Sequence, residues 1–288
     1  MTAGWCLAVM SLGAAAACSR PAAVLTQQVE AHRLASHLHV QFSKAADASN
    51  RAVMSDADDT SSAAAREAAQ SIEAVERDVE ALQRVLQALA YRDEIGQLGA
   101  FTARFAEYRT LDADILPLAV ENTNIKAQRL SFGPARDAVG TFRQSLEAAA
   151  HSSASSNACC IDALVATAGM ALLEVQVAQA RHIAESDEAA MSRMEAEMAA
   201  SEAAARKALG TLNGRLAGAA APHLAAATAA LDRFTAINTE IVTLSRRNSN
   251  VRSLALSLGR KRTVTALCDD ALGALEASLA THDFGATR

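Results

Sequence analysis

The sequence predicts an all-α protein built as two tandem up-down-up-down four-helix bundles. Alanine makes up about a quarter of the 288 residues, while the chain has only four prolines and 3% aromatic residues. This composition favours long helices with narrow cores, and few stretches show the alternating pattern of a strand. A duplicated motif and heptad-spaced apolar residues complete the prediction.

The motif occurs twice. Residues 108–133 align without a gap to residues 234–259, and seven of the 26 aligned positions are identical. Both copies contain N-[ST]-N-[IV]-[KR] followed by L-S-[FL]-G. Internal repetition of this kind indicates a duplicated structural unit. We therefore expect one four-helix repeat at 24–150 and a second at 158–283, divided by the polar stretch HSSASSN.

Four helices are expected in the first repeat. Apolar residues at steps of about four predict the first helix, and the polar cluster 55–62 ends it and supplies caps for the second. Glycines 96 and 99 mark the next turn. The third helix carries the motif and ends at Gly133-Pro134, which suit a helix end and a new start.

The second repeat follows the same order. Its first helix is expected to end near Ile183, and Ser186-Asp187 supply the cap of the next. A loose glycine-rich turn after Leu212 precedes the second motif helix, which is expected to end at Gly259. The last helix then runs to about Ala280.

Apolar residues in each motif helix recur at steps of three and four. Such steps are typical of helices packed at shallow angles, as in a four-helix bundle. An asparagine, Asn122 or Asn248, falls on this stripe at the same place in both copies. We expect both to be buried and to fix the register of packing at some cost in stability. Contact with a ligand is the alternative.

Residues 1–18 are expected to be a signal segment. The apolar run 5–17 is too short to span a bilayer as a helix, and small residues lead to Cys18. This layout resembles a bacterial lipoprotein signal in which Cys18 is lipidated, although no Lys or Arg precedes the run. Simple cleavage after A-x-A and a longer membrane anchor stay open. All three alternatives place the body of the protein outside the cytoplasm, and we expect a cell-envelope protein that faces the periplasm and is anchored to the membrane by lipid.

Composition and motifs argue against several function classes. A net charge of -5 indicates no role with nucleic acid. The sequence has no Ser-His-Asp, phosphate-loop, dinucleotide or CxxC signature, so we expect no enzymatic activity, no cofactor and no metal site. Cys268 pairs with Cys159 or Cys160 in one interpretation, and all three are free thiols in the other.

Two stretches carry a family resemblance. ARHIAESDEAAMSRMEAEM (180–198) and LSRRNSNVRSLALSLGRKR (244–262) resemble the tandem four-helix ligand-sensing domain of bacterial methyl-accepting chemotaxis receptors. The resemblance implies a sensory, ligand-binding role. No signalling coiled coil follows Ala280, so we expect an input module without its own output domain.

The resemblance also implies where a ligand would bind. In an up-down-up-down bundle the first and third turns share an end, and receptors of this family hold anionic ligands there with arginines. The expected ligand-binding residues are Arg51 near Arg136, and Arg181 and His182 near Arg260, Lys261 and Arg262. The alternative is a solvated corner whose arginines pair with neighbouring carboxylates.

The leading functional prediction is therefore a membrane-anchored sensory or ligand-binding protein that takes a small anionic ligand. A structural or protein-interaction spacer is the alternative, with a protein partner or a homodimer. Whether the two bundles stack end to end or lie side by side stays open.

Overall fold

The computed structural model describes residues 19–152, 158–216 and 218–283. The α-helices of this part are α1 Ser19–Met54, α2 Asp58–Leu89, α3 Arg92–Glu121, α4 Thr123–Leu130, α5 Arg136–His151, α6 Ala158–Ala184, α7 Glu188–Arg215, α8 Ala221–Arg247, α9 Ser249–Leu256 and α10 Arg262–Asp283. Because these residues include no strand, the all-α prediction is confirmed. The predicted signal segment 1–18, with Cys18, lies outside the described residues.

Short non-α segments join some of these helices. π-helical segments at Ser131–Ala135 and Ser257–Lys261 link α4 to α5 and α9 to α10, and a 3₁₀ turn at Gly218–Ala220 precedes α8. Asp187 caps α7, because its side chain accepts a hydrogen bond from the backbone N–H of Ala190 at 2.6 Å. This is the cap that the sequence predicts at Ser186-Asp187.

The chain divides into two compact units. Unit 1 comprises the chain up to Ser55, residues 59–116 and the chain from Leu256, so its main helices are α1, α2, α3 and α10. Unit 2 comprises residues 56–58 and 117–255, and its main helices are α5, α6, α7 and α8. Each unit is thus a bundle of four main helices.

Each unit has its own apolar core. In unit 1, Phe42 packs edge to face against Phe101 and Tyr108, with ring centroids 5.8 and 5.2 Å apart. In unit 2, Phe142 and Phe234 are fully buried among Leu, Val and Ala side chains. Full burial of one such ring contributes about 1.5–3 kcal/mol.

The compact units differ from the expected repeats at the fourth helix. The repeat at 24–150 was expected to keep α5, and the repeat at 158–283 was expected to keep α10. In the structure α5 belongs to unit 2 and α10 belongs to unit 1. Both helices follow copies of the same motif and bury apolar residues at the same spacing, as Leu146 of α5 and Leu272 of α10 illustrate.

The motif helices also end earlier than expected. Asn122 and Asn248 adopt a left-handed backbone, with φ of 51° and 53°, and interrupt the helix there. The chain then continues through Gly133-Pro134 and Gly259 inside the two π segments. These departures from the α-helix turn a new face inward, so Phe132 and Leu258, which continue the apolar steps of the two motif helices in the sequence, are 65% and 63% exposed.

Candidate functional site

The two copies of the motif meet in unit 2 through reciprocal hydrogen bonds. The backbone N–H of Thr123 donates to Oγ of Ser249, and that of Ser249 donates to Oγ1 of Thr123, both at 3.0 Å. The backbone N–H groups of Asn124 and Asn250 donate to each other's Oδ1 atoms at 3.1 Å. We call residues 122–124 and 248–250 the asparagine cluster.

The asparagine cluster caps two helices. The first N–H groups of α4 and α9 have no acceptor within their own helix, and side chains of the opposite copy accept them. The Nδ2 group of Asn124 donates to Oδ1 of Asn248 at 2.7 Å, and that of Asn250 donates to Oδ1 of Asn122 at 2.8 Å. The side chains of Asn122 and Asn248 are therefore occupied by structural bonds, which leaves little for a ligand.

His182 lies in a second buried polar group of unit 2. Its ring is fully buried, with Nδ1 2.5 Å from Oγ of Ser245 and Nε2 2.8 Å from Oε1 of Glu195. Arg246 donates to both oxygens of Glu195 at 2.6 and 2.9 Å, and these bonds hold the pKa of Glu195 below its usual value. Ser245 is also fully buried, so this Ser-His-Glu chain has no access to a substrate.

Lys261 does not belong to a basic surface in the structure. It is 2% exposed in unit 1, where Nζ donates to Oδ1 of Asp112 at 2.6 Å and also to Oγ of Ser49. Burial lowers the pKa of Lys261, and the carboxylate of Asp112 opposes this effect. Two departures from α-helical geometry precede Lys261, the left-handed Asn248 and the kink at Gly259, and together they shift the helical phase so that this side chain points toward the core.

Unit 2 has a neutral polar group in the equivalent place. Nε2 of Gln179 donates to Oδ1 of Asn238, and Oγ of Ser131 donates to Oε1 of Gln179, both at 2.8 Å. The motif alignment matches Asn238 to Asp112 and Ala135 to Lys261. At this position of the fold, unit 1 therefore has a charged pair of side chains and unit 2 has an uncharged hydrogen-bonded group.

The structure divides the predicted arginine groups between units. Arg51 belongs to unit 1 and Arg136 to unit 2, while Arg181 and His182 belong to unit 2, and Arg260 and Arg262 to unit 1. Neither unit contains a site made from both members of a predicted group, because the fourth helices are exchanged. Arg51 pairs with Glu67 at 2.7 Å, and Arg260 pairs with Glu107.

Arg262 lines a surface groove of unit 1. The groove has a volume of about 530 Å³, and its lining residues are Leu258, Gly259, Arg262, Thr263, Ala266 and Leu267. It lies where the backbone of Gly259 departs from helical geometry, with φ of -84° and ψ of -118°. Among the described residues Arg262 has no hydrogen-bond or ion-pair partner, and no acidic residue lines the groove.

Arg181 lines a different groove, of about 440 Å³, between α6 and α7 of unit 2. Arg181 also has no partner among the described residues. However, Glu174 and Glu197 line the same groove. Two carboxylates beside one guanidinium repel an anion, so this groove suits an anionic ligand less well than the groove of Arg262 does.

The described cysteines carry free thiols. Cys159 and Cys160 are exposed at the start of α6, and Cys268 is buried in the core of unit 1. Burial raises the pKa of Cys268 to about 12. Of the two interpretations of the cysteines, the structure agrees with free thiols.

Comparisons with known proteins give no relative. No family model matches the chain, and neither the curated proteins nor the solved structures contain a match. Within the described ranges, no group of three or more His, Cys, Asp or Glu side chains is arranged to hold a metal ion. One described helix, α6, has the length and apolar composition that a membrane span requires, which is weak evidence for a span.

Proposed function

We propose that this protein is a sensory or ligand-binding helical-bundle module without enzymatic activity, and that its ligand is a small anion with an apolar body. The guanidinium of Arg262, which has no partner among the described residues and lies in an apolar groove, carries this proposal. The resemblance to chemoreceptor input domains supports the role, and the groove supports the ligand class.

The chemistry of the groove favours a carboxylate. A guanidinium presents a planar pair of donors that matches the two oxygens of a carboxylate, and such charge-assisted bonds are stronger than neutral ones. Leu258 and Leu267 are 63% and 38% exposed and offer apolar surface to the rest of the ligand. A groove of about 530 Å³ lies within the range of small-molecule sites, roughly 300–1,000 Å³.

Hexanoate is a suitable probe, and hexanamide is its uncharged control. A ligand that binds only the folded protein stabilises it by RT ln(1+[L]/Kd), about 2.7 kcal/mol at 100 times Kd. We expect hexanoate, and not hexanamide, to raise the melting temperature of the full chain. Arg262→Gln should abolish the rise, whereas Arg136→Gln, which changes an exposed arginine that lines neither groove, should preserve it.

Two results would refute the ligand site. The first is an unchanged melting temperature across hexanoate, benzoate and phosphate. The second is an equal rise in the wild type and in Arg262→Gln, which would place the anion elsewhere.

We also propose an envelope location with a lipid anchor on Cys18, on the strength of the signal-like leader. Replacing Cys18 with Ser should move the full chain from the membrane fraction to the soluble fraction of a bacterial host. Metabolic labelling with a palmitate analogue should mark the wild type and not the variant. Equal fractionation of the two proteins would contradict a lipid anchor.

A protein-interaction role is the second candidate, and the surface of α6 favours it. Met170 and Val177 on this helix are 56% and 65% exposed. Large apolar side chains exposed together are typical of surfaces that bind another protein.

A further inference from the structure

Helix α6 is the most apolar helix of the described chain and is poorly covered. Its most apolar stretch of 18 residues has a mean hydropathy of 1.8, yet only 28% of that stretch is buried. Val177 and Met170 are the largest exposed apolar side chains on it. Apolar surface of this kind gains free energy when another surface covers it.

The exposed face of α6 also allows a second helix to approach closely. Its other exposed positions include four alanines, Ala163, Ala166, Ala180 and Ala184. Small side chains shorten the distance at which two helices can pack. A groove of about 440 Å³ borders this face on the side of α7 and leaves room for side chains of an incoming helix.

Two charged residues flank Val177 on the same face. Glu174 and Arg181 are seven residues apart, so they lie two turns apart along one side of the helix, at a separation of about 10 Å along its axis. Arg181 has no partner among the described residues, and Glu174 accepts one hydrogen bond, from Ser201 at 2.9 Å. Both charges remain available to a partner.

We propose that this face binds the same face of a second copy of the chain. The two α6 helices pack antiparallel about a two-fold axis at Val177, so that Arg181 of each copy pairs with Glu174 of the other. In a two-fold contact each residue meets its counterpart by symmetry, so one complementary pair is used twice. The contact lies in unit 2 and is independent of the groove of Arg262.

The charges favour a second copy over a lipid bilayer. Glu174 and Glu197 lie beside the apolar side chains of this face. Burying these carboxylates in hydrocarbon would be costly, whereas a second copy offers Arg181 to them. Self-complementary charge beside an apolar centre is what a symmetric dimer requires.

A charge exchange tests the proposal. Sedimentation velocity of the full chain should show a dimer for the wild type. Glu174→Arg and Arg181→Glu should each weaken dimerisation by about tenfold or more, because each places like charges together twice. The double variant with both changes restores opposite charges across the axis and should recover the dimer. Val177→Glu should remain monomeric.

The controls separate assembly from folding. All four variants change exposed side chains, so their melting temperatures at low protein concentration should match that of the wild type. The matched control Arg193→Glu changes an exposed arginine of α7 and should leave the dimer intact. A monomeric wild type at high concentration and low salt would overturn the proposal. So would single variants that dimerise normally, a double variant that stays monomeric, or binding of liposomes by the α6 face in place of dimerisation.

Discussion

Asn122 and Asn248 occupy the same place in the two motif copies, and both adopt a left-handed backbone, with φ of 51° and 53°. Asparagine tolerates this conformation better than most residues with a side chain. Each asparagine interrupts one helix and starts another whose first N–H groups are capped by the opposite copy. The hydrogen bonds between the two motif copies thus join the start of α4 to the start of α9 within unit 2.

The reciprocal caps should be important for stability. Ser249→Ala removes the acceptor of the Thr123 N–H and leaves a buried donor without a partner, which costs about 1–3 kcal/mol. Urea denaturation should show this loss in the free energy of unfolding. Thr243→Ala is the matched control, since that exposed hydroxyl bonds only to a carbonyl of its own helix. Equal effects of the two substitutions would show that the caps contribute little.

Replacing both residues of the buried ion pair of unit 1, Asp112 and Lys261, should destabilise the protein less than replacing Lys261 alone. Lys261→Ala leaves the carboxylate of Asp112 buried without its cation, and we expect a loss of about 3–5 kcal/mol. The double variant Asp112→Asn with Lys261→Ala leaves no unpaired charge, because it places at these two positions the residues that align with them in unit 2, and it should be less destabilised. A double variant less stable than Lys261→Ala would contradict this reasoning. Chemical denaturation of the wild type, Lys261→Ala and the double variant gives the three free energies of unfolding.

Stability should depend on pH through Glu195. Hydrogen bonds from Arg246 lower the pKa of Glu195 in the folded state, while burial opposes them. A carboxyl group with a lowered folded pKa contributes stability that is full above its unfolded value, about 4.3, and is lost as pH falls through the folded value.

The difference in unfolding free energy between the wild type and Arg246→Gln should therefore be largest near neutral pH and shrink below about pH 4. Denaturant titrations at several pH values measure it. Arg193→Gln removes an exposed guanidinium that has no partner in the described part of the chain, and it should show no such dependence. A difference that stays constant down to pH 3 would exclude Glu195 as its source.

Thiol reactivity should divide the described cysteines into two groups. Iodoacetamide should modify the exposed Cys159 and Cys160 in the folded protein, and peptide mass spectrometry can follow each site. Cys268 is fully buried with a pKa raised to about 12, so it should react only when unit 1 opens. Labelling of Cys268 as fast as Cys160 under native conditions would contradict the burial of α10.

A cut between the repeats should not separate them. Unit 1 takes α10 from the C-terminal fragment, and unit 2 takes α5 from the N-terminal fragment. A protease site engineered into residues 153–157 should therefore yield two fragments that co-elute under native conditions and separate in urea. Fragments that separate without denaturant would show that each repeat folds by itself. The uncut protein and a scrambled site serve as controls.

The sequence was sufficient to predict the helices and the duplication, because the apolar period and the motif are local signals. It also pointed to Asn122 and Asn248 as special positions. It did not predict that they reverse the sign of φ. The N-[ST]-N pattern was the available signal, since asparagine favours left-handed positions and both residue types cap helices.

The exchange of fourth helices could not be predicted, since α5 and α10 follow copies of one motif and carry similar apolar faces. The same limit explains why the positions of the site residues could not be predicted. Lys261 was expected on a basic corner, and the phase change after Asn248 turns it into the core, whereas Arg262, its neighbour, remains exposed. The left-handed Asn248 and the non-helical Gly259 together thus set which side of the helix each downstream charge occupies.

The position of α10 affects how the chain folds during synthesis. Unit 1 begins with α1 at Ser19, yet it receives its fourth main helix only when α10, Arg262–Asp283, is synthesised. Until residues 262–283 emerge, the apolar faces of α1, α2 and α3 have no fourth helix to cover them. The three helices that are synthesised first are therefore the last to be fully covered.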